Sequence, residues 1–469
     1  YLPNVYSGTF DGQGHTLSFN WDAGNREEIA PFKYVKDATI RNLRTQGKIT
    51  SSSYDSQLSG LIMKAEGNTT ISGCVSEVDL KGSSSLAGIL QWPEGNAHIT
   101  INDCLVKGTF HATSDLEGGK ERSISGFITH MPLESTCTLN NCLYLGTNNA
   151  LDHDETSHTF CVNKAPNTTI TNCYYLNPCG EAQDTKVTEE QLRNGYVAKL
   201  LQAGRTDQCH WAQPLGEMPS LYREADKAEA NYVYYNKENN SWACDDFRLT
   251  DDKPLSIGID FLATRATYER DLSTGKATLC LPYDLPVQGF KAYTLSGGNN
   301  SAVYFADAKD KLEAYKPCLL TANGTLQLGS ENIQVKAYNA DDLKQTAGAF
   351  NFIGTVTGVD NATAVAANAY ILQDDGLFHK VTTEHPGATV SAYRAYVTCP
   401  KGAGAKQLSI VIDGETTGIG GATNDARGRA DGPVYDLQGR RVADRLDAAA
   451  RNSLPAGVYI VGGRKVVVK

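Results

Sequence analysis

The 469 residues are 41% hydrophobic and 20% charged, which is typical of a folded protein and excludes a disordered chain. The formal net charge of −10 argues against a nucleic acid as partner, because proteins that bind nucleic acids carry a basic face. No apolar run approaches the roughly 20 residues that span a bilayer, so the sequence predicts no transmembrane segment. Twelve cysteines are too few for a disulfide scaffold and show no C-x-x-C spacing, so we expect no zinc site and no other cofactor.

Two phrases recur through the first part of the chain and predict a stack of repeats. The first reads "NTTISGC" at Asn68 and "NTTITNC" at Asn167, and it surrounds an apolar anchor residue in each repeat. The second reads "LSGLIM" at Leu58, "LAGILQ" at Leu86 and "ISGFIT" at Ile124. The regular recurrence of both phrases, with alternating apolar letters, indicates short strands that stack about 4.8 Å apart, as in a parallel β-helix. The anchors are Ile40, Ile71, Ile101, Leu139 and Ile170.

The longest step between anchors, 38 residues from Ile101 to Leu139, predicts an insertion. Its letters are "HATSDLEGGKERS", from His111 to Ser123. The basic letters in it suit a trypsin-like protease, as a cleavage site or as bait, and a merely solvated loop is the alternative. The candidate exposed residues are Lys120, Glu121 and Arg122.

A ladder of small apolar side chains accompanies the anchors. Four cysteines and one leucine share a register, and we interpret them as thiols that fill a narrow core, because free cysteine behaves as a buried hydrophobe. A metal or redox stack is the alternative. The residues before the ladder, Asn42, Asp103, Asn141 and Asn172, suit corners where a side chain bonds backbone. The ladder itself consists of Leu43, Cys74, Cys104, Cys142 and Cys173.

These phrases together resemble the GLUG-type repeats of Bacteroidota surface proteins. The resemblance covers residues 1–183 and rests on "YSGTFDGQGHTLSF", "APFKYVKDATIRNLRTQGKI", the "SGLIM" phrase and the cysteines. It implies an exported, right-handed parallel β-helix of a kind found in several adhesins, and it implies no reaction.

Residues 184–254 are expected to close the stack with a helix. The stretch "TEEQLRNGYVAKLLQAG" places Thr188 three residues before Gln191, which is a capping box, and predicts one helix that ends near Gly204. A helix over the last coil protects its open edge. Cys179 and Cys209 are candidates for a disulfide in this segment, although sequence does not fix connectivity.

The remaining chain divides into three predicted parts. Residues 255–413 contain short strands separated by turn letters, which favours a β-sandwich, and Cys280 and Cys318 are either a disulfide or buried thiols. Phrases such as "TLCLPYDLP" resemble a β-sandwich module of Bacteroidota exported proteins. Residues 414–432 are Gly-rich and polar, which predicts a flexible linker.

Residues 433–469 resemble the C-terminal sorting domain of the type IX secretion system. The resemblance implies transfer across the outer membrane by that machinery, usually with removal of the domain and attachment to surface polysaccharide. An ordinary small β-domain is the alternative. The matching positions are Leu454, Pro455, Gly457, Tyr459, Ile460, Lys465 and Lys469.

A search for catalytic residues gives one polar cluster, "DHDETSH". Two imidazoles and three carboxylates within seven residues suit a divalent metal, but the spacing of the histidines does not match an H-E-x-x-H site, and a solvated loop is the alternative. Four pairs of adjacent aspartates occur elsewhere, and none recurs at coil spacing, so the sequence predicts no stacked acids. The cluster consists of Asp152, His153, Asp154, Glu155 and His158.

The sequence therefore predicts an all-β, non-catalytic protein of the outer cell surface. Its expected partner is an extracellular glycan or a secreted host protein, for example a luminal protease such as trypsin. A carbohydrate-active β-helix enzyme, lyase or hydrolase, and a structural fimbrial or matrix component are the alternatives.

Overall fold

The computed structural model describes residues 4–113, 123–149, 157–162, 167–308, 310–399, 404–412, 415–416, 432–437, 439–461 and 464–468. Strands dominate its secondary structure, so the prediction of an all-β chain is confirmed. The contacts divide the chain into two compact units. Unit 1 comprises Tyr1–Arg248, Leu255–Ala266 and Glu331–Tyr338, and unit 2 comprises Leu249–Pro254, Thr267–Ser330 and Asn339–Lys469.

Three parallel sheets build the repeat region of unit 1. The first contains Tyr6–Asp11, Phe32–Arg41, Ile62–Ser72, Leu90–Asn102, Thr136–Asn140 and Thr168–Thr171. The second contains Thr16–Asp22, Arg44–Thr50, Val75–Gly82, Leu105–Val106, Thr109–Ala112, Leu143–Tyr144, Thr147–Asn148, Tyr174–Tyr175 and Thr185–Lys186. The third contains Glu28–Ile29, Gln57–Ser59, Ser85–Ala87 and Ser123–Ser125.

Each strand of the first sheet pairs with its counterpart one repeat further along the chain. Ile71 lies between Ile40 and Ile101, and Leu139 lies between Ile101 and Ile170. The repeat alignment is therefore confirmed, because every anchor is the direct neighbour of the next. Their side chains join one apolar core with the cysteines of the ladder. Stability of such a stack comes from neighbouring repeats, since no repeat buries its inner face alone.

The glycine of the second recurring phrase is required by the close approach of successive repeats. A Cβ added at Gly60 would lie 2.5 Å from the carbonyl oxygen of Gly88, and one added at Gly88 would lie 2.1 Å from that of Gly126. At Gly126 the corresponding distance, to the carbonyl oxygen of Thr159, is 2.0 Å. Side chains larger than hydrogen therefore do not fit where this phrase recurs.

The insertion is shorter than predicted at both ends. His111 belongs to the strand Thr109–Ala112, and Ser123 begins the strand Ser123–Ser125. Strand pairing with the preceding repeat extends to Ala112, which the polar letters of the segment do not reveal. The candidate residues Lys120, Glu121 and Arg122 lie outside the described residues.

Two helices follow the stack where the sequence predicts one. The capping box at Thr188 is confirmed: its hydroxyl accepts from Gln191 N, and the Gln191 side chain accepts from Thr188 N. The helix is broken because Gly195 adopts a left-handed φ of 90°. The helices are Glu189–Arg193 and Tyr196–Gln202.

Antiparallel strands complete unit 1. Trp211–Pro214 pairs with both Ser220–Leu221 and Tyr232–Asn236, and a short 3-10 helix lies between the last two. Tyr232–Asn236 in turn pairs with Ser241–Leu249, and the first half of Phe261–Leu272 pairs with Glu331–Val335. The 3-10 helix is Glu224–Ala228.

Unit 2 is built mainly from antiparallel pairs. Ala302–Asp307 and Gln407–Ile412 form a parallel exception. Aromatic rings fill its largest core, where Phe305 packs on Phe352 and Phe378. Its strands are Lys276–Leu279, Leu285–Pro286, Lys291–Asn299, Ala302–Asp307, Lys311–Leu312, Cys318–Thr321, Gly324–Gln327, Lys344–Ala347, Phe350–Thr355, Ala369–Leu372, Phe378–Lys380, Arg394–Thr398, Gln407–Ile412, Glu415–Thr416, Val434–Tyr435, Arg441–Ala443, Gly457–Val461 and Arg464–Val468. Its helices are Ala340–Leu343, a 3-10 turn, and the α-helices Asn361–Ala366 and Ala448–Ser453.

All twelve cysteines are free thiols. Neither candidate disulfide, Cys179 with Cys209 or Cys280 with Cys318, is present. Cys209 is half-buried, and the other three thiols are buried. Of the predicted linker, 414–432, only residues 415–416 and 432 are described.

An ion pair in unit 2 is expected to make the stability of this unit depend on pH. Arg394 donates to both carboxylate oxygens of Asp251, at 2.7 and 2.9 Å, and the Tyr268 hydroxyl donates at 2.7 Å. Burial acts to raise the pKa of Asp251, but these hydrogen bonds outweigh it and leave the pKa below the ordinary value of 3.8.

We therefore expect the unfolding free energy to fall as the pH drops below 3.8, the ordinary pKa of Asp251, and approaches its depressed pKa in the folded state. The stabilisation is complete above that range, because the folded state releases the proton more readily than the unfolded state does. Acid titrations followed by circular dichroism should show a shallower loss for Asp251→Asn than for the wild type. Asp252→Asn, an exposed neighbour, is the control, and an unchanged slope in Asp251→Asn would contradict the prediction.

Candidate functional site

The corners of the repeat region place polar side chains in a row. One residue of each repeat turns the chain from the first sheet to the second with a left-handed φ between 50° and 62°. Asparagine, aspartate and glycine tolerate this conformation best, which explains their recurrence. The backbone N–H of a corner residue donates to the next repeat, as Asn42 does to Ser72 O at 3.0 Å. The pairing of the repeats therefore does not use the corner side chain. The corner residues are Asn42, Gly73, Asp103, Asn141 and Asn172.

Amide groups bond to one another at these corners and at the positions directly before them. Asn140 Nδ2 donates to Asn102 Oδ1 at 2.9 Å, and Asn172 Nδ2 donates to Asn141 Oδ1 at 2.7 Å. Each of these amides keeps further donor or acceptor positions, because a side-chain amide carries two N–H groups and two lone pairs. The row therefore presents hydrogen-bonding groups in a fixed order.

The corners form one wall of the site, and residues 205–225 form the second wall. Asp103 is the corner residue that holds the second wall in place. Arg205 donates to its carboxylate through two nitrogens, at 2.8 and 2.6 Å, and Trp211 Nε1 donates at 2.9 Å. Asp103 is only 7% exposed and Trp211 is fully buried, so this contact is shielded from water. It fixes the segment after the second helix against the corners.

Gln202 shapes that segment from inside. Its Nε2 donates to the carbonyl oxygens of Arg205 and Gln208, both at 2.8 Å, and its Oε1 accepts from His210 N at 2.8 Å. The side chain is 2% exposed. A buried and fully bonded amide of this kind holds a loop in one conformation.

Corners and second wall enclose a cleft of about 1020 Å³. A volume of this order accommodates a ligand of several rings. Its lining is mostly polar, with side-chain amides, hydroxyl, imidazole and guanidinium groups. The residues that line it are Gln13, Gly14, His15, Asn42, Arg44, Ser72, Gly73, Asn102, Asp103, Asn140, Asn141, Arg205, Gln208, Cys209, His210, Leu221, Tyr222, Arg223, Glu224 and Ala225.

The carboxylates of the cleft are engaged by neighbouring donors. Asp103 is bonded as described, and Glu224 accepts from the Tyr222 hydroxyl and, at 3.1 Å, from Lys227. These hydrogen bonds lower the pKa of Glu224, so its side chain is ionised at neutral pH. Burial and the neighbouring Glu224 raise the pKa of Tyr222, which keeps that hydroxyl a donor.

The four cysteines of the predicted ladder lie at the repeat position after the corners. Their side chains are completely buried, and each N–H that follows donates to the ladder residue one repeat earlier, as Leu105 N does to Cys74 O at 3.0 Å. Burial raises the pKa of the Cys104 and Cys142 thiols well above 9. Neutral thiols of this kind are poor metal ligands and poor nucleophiles.

The predicted metal cluster is described only at one residue. Asp152, His153, Asp154 and Glu155 lie outside the described residues. His158 is 4% exposed, forms isolated parallel β-bridges with Ser125 of the third sheet and with Glu181, and lies 3.2 Å from Glu181 Oε2. Within the described ranges, no group of three potential metal ligands is found.

The sequence-based interpretation missed acids that do stack at coil spacing. Glu66 and Glu94 are direct neighbours on the first sheet, which corrects the expectation that no acids stack there. Glu66 accepts from Tyr34 at 2.6 Å and from Lys36 at 2.8 Å, and Lys64 lies 3.5 Å from Glu94. Lysines on the same surface neutralise these acids. Aligning the repeats would have revealed the pair, because Glu66 and Glu94 occupy the same position in successive repeats.

Four residues of the predicted sorting motif, Gly457, Tyr459, Ile460 and Lys465, lie in a four-stranded antiparallel sheet. Leu454 follows the helix Ala448–Ser453, and Gly457, Tyr459 and Ile460 belong to the next strand. The Tyr459 hydroxyl donates to Pro455 O at 2.8 Å. Lys465 lies in the last strand, and Lys469 is outside the described residues.

Comparisons with protein families, with curated proteins and with solved structures give no match to this chain. Among the described residues, no helix has the length and apolar character that a membrane span requires.

Proposed function

We propose that this chain is a non-catalytic glycan-binding protein of the outer cell surface, with the ligand held in the cleft between the corners and the 205–225 segment. The observation that carries the proposal is the lining of the cleft. Amide, hydroxyl and guanidinium groups in a fixed, concave arrangement suit a polyhydroxylated ligand, whose hydroxyls both donate and accept hydrogen bonds.

The architecture proposed for the repeat region is a right-handed parallel β-helix. Parallel pairing at every repeat supports it, and so does the strong preference of parallel strand crossovers for the right hand. An extended glycan suits such a scaffold, because equivalent positions of successive repeats lie along one line.

Export by the type IX secretion system, with attachment to surface polysaccharide, is part of the same proposal. Its support is the resemblance of residues 433–469 to a sorting domain and the compact sheet in which Tyr459 and Val461 are buried. The predicted β-sandwich of residues 255–413 would then serve as a spacer or second surface.

The chemistry of the two carboxylates in the cleft favours binding over catalysis. A general acid for glycoside cleavage requires a raised pKa, whereas the pKa of Glu224 is lowered. Both oxygens of Asp103 already accept hydrogen bonds from Arg205 and Trp211. Each group is thus committed to holding the walls of the cleft.

The test is to fill the cleft from its exposed wall. Gln208 lines the cleft with an exposed side chain, and only its backbone oxygen organises the loop, so Gln208→Trp should block the ligand without unfolding the protein. On an array of neutral and acidic glycans, we expect the wild type to bind a subset and the variant to lose at least about tenfold in affinity.

Gln46→Trp is the matched control, because Gln46 is exposed on a repeat strand and does not line the cleft. It should bind as the wild type does. Absence of binding to every glycan, with capture of a secreted protein instead, would overturn the proposal in favour of the protein-partner alternative. Turnover of a bound glycan would overturn its non-catalytic part.

A further inference from the structure

Arg44 stands out among the residues that line the cleft. It begins the strand Arg44–Thr50, two residues after the corner Asn42. Thr16, one repeat earlier, and Thr185, at the far end of the same register, are exposed, but the four neighbours between Arg44 and Thr185 are apolar or aromatic and buried. They are Val75, Leu105, Leu143 and Tyr174. A cation therefore occupies a position that the next four repeats fill with buried apolar or aromatic side chains.

The guanidinium of Arg44 has little compensation from the protein. Its hydrogen bond from Nη2 to Ser220 Oγ is long, at 3.5 Å, and within the described part of the chain it forms no ion pair. The side chain is nevertheless half-buried. A half-buried cation without a carboxylate is costly unless something else neutralises it.

A second cation faces the same space. Arg223 also lines the cleft, and its contact with Asp226 is long, at 3.9 Å. Burial, followed by the charge of Arg223, lowers the pKa of Arg44, and the negative charges of Asp226 and Glu77 oppose this only in part. Like charges at close range are stable when an anion lies between them.

Two carboxylates line the cleft, and both are already bonded to neighbouring donors. The carboxylate of Asp103 is bonded to Arg205, and that of Glu224 is bonded to Tyr222 and Lys227. Three arginines of the lining, Arg44, Arg205 and Arg223, therefore face two bonded carboxylates, in a chain whose net charge is −10. Asp226, which is not part of the lining, lies 3.9 Å from Arg223 and also acts on Arg44, so it offsets this positive excess only in part. A local positive potential in an acidic protein points to a ligand with negative charge.

We infer that Arg44 and Arg223 form a subsite for an anionic group carried by the glycan, either a carboxylate or a sulfate. Planar guanidinium groups bind both through paired N–H donors. This inference rests on the proposed function and adds the substrate class: an acidic polysaccharide, recognised by its charge at Arg44 and by its hydroxyls along the corners.

The experiment uses the full chain and two matched pairs of polymers. Polygalacturonate and its methyl ester test the carboxylate, and dextran sulfate and dextran test the sulfate. Affinity is measured for the wild type, Arg44→Met, Arg223→Met and the control Lys48→Met. Lys48 is exposed on the same strand as Arg44 and outside the cleft, so its variant removes the same charge elsewhere.

We expect one anionic polymer to bind at least about tenfold more tightly than its neutral partner, and Arg44→Met and Arg223→Met to abolish that difference. Lys48→Met should retain it. Equal binding of charged and neutral partners, unchanged in both cleft variants, would overturn the subsite and leave glycan binding intact. If none of the polymers and none of the arrayed glycans bound, the proposed function itself would be overturned. Arg223 is exposed in a surface segment, so its variant remains informative if Arg44→Met fails to fold.

Discussion

Gly88→Ala is expected to destabilise the repeat region by about 3 kcal/mol, a large effect for one methyl group. The added Cβ would lie 2.1 Å from the carbonyl oxygen of Gly126 and 2.7 Å from a methyl of Val106. A flexible side chain could move away, but the nearest atom is backbone of the next repeat. Relief therefore requires that neighbouring strands separate, which weakens their parallel hydrogen bonds.

The measurement is the free energy of unfolding from urea titrations of the wild type and variant. Gly387→Ala is the matched control, because a Cβ there meets no atom within 4 Å and the backbone angle is ordinary. The control should change stability by no more than about 0.5 kcal/mol. A cost at Gly88 no larger than that at Gly387 would show that successive repeats are not in such close contact.

Asp103→Ala should cost about 3 kcal/mol, because the Arg205 guanidinium loses its carboxylate and keeps only the carbonyl oxygens of Leu201 and Gln202 as acceptors. The indole N–H of Trp211 loses its partner as well, which adds the penalty of a buried unsatisfied donor. Glycan affinity should fall with stability, since the second wall of the cleft is no longer held.

A double-mutant cycle with Arg205→Met separates the pair from the rest of the site. The comparison is the exposed pair of Glu189 and Arg193, which lie 2.8 Å apart and should couple by no more than about 0.5 kcal/mol. A coupling between Asp103 and Arg205 as small as that value would mean that the cleft wall is held by packing alone.

Local patterns revealed the strand pairing of the repeat region. Ile40, Ile71 and Ile101 are neighbours because each repeat writes the same phrase, and the capping box at Thr188 lies within four letters. The break at Gly195 was missed although this residue is the glycine of an "NG" pair, since the apolar pattern continues on both sides. Periodicity alone does not report a left-handed residue.

The cleft was beyond prediction because its walls are distant in sequence. Asp103 and Arg205 are 102 residues apart, and nothing local indicates that they meet. The position of Arg44, in contrast, carried a signal. Alignment of the repeats places it in register with Val75 and three further buried residues. A cation at a position that other repeats use for packing indicates a functional role.

Hydrogen exchange of the full chain, with and without the tightest-binding anionic glycan, tests the central claim most directly. We expect slowed exchange at the corner turns near Asn42 and Asp103 and in residues 205–225, with little change elsewhere among the described residues. Slowed exchange confined to unit 2, or to the surface around Glu66 and Glu94, would contradict it, because the ligand would then occupy another site.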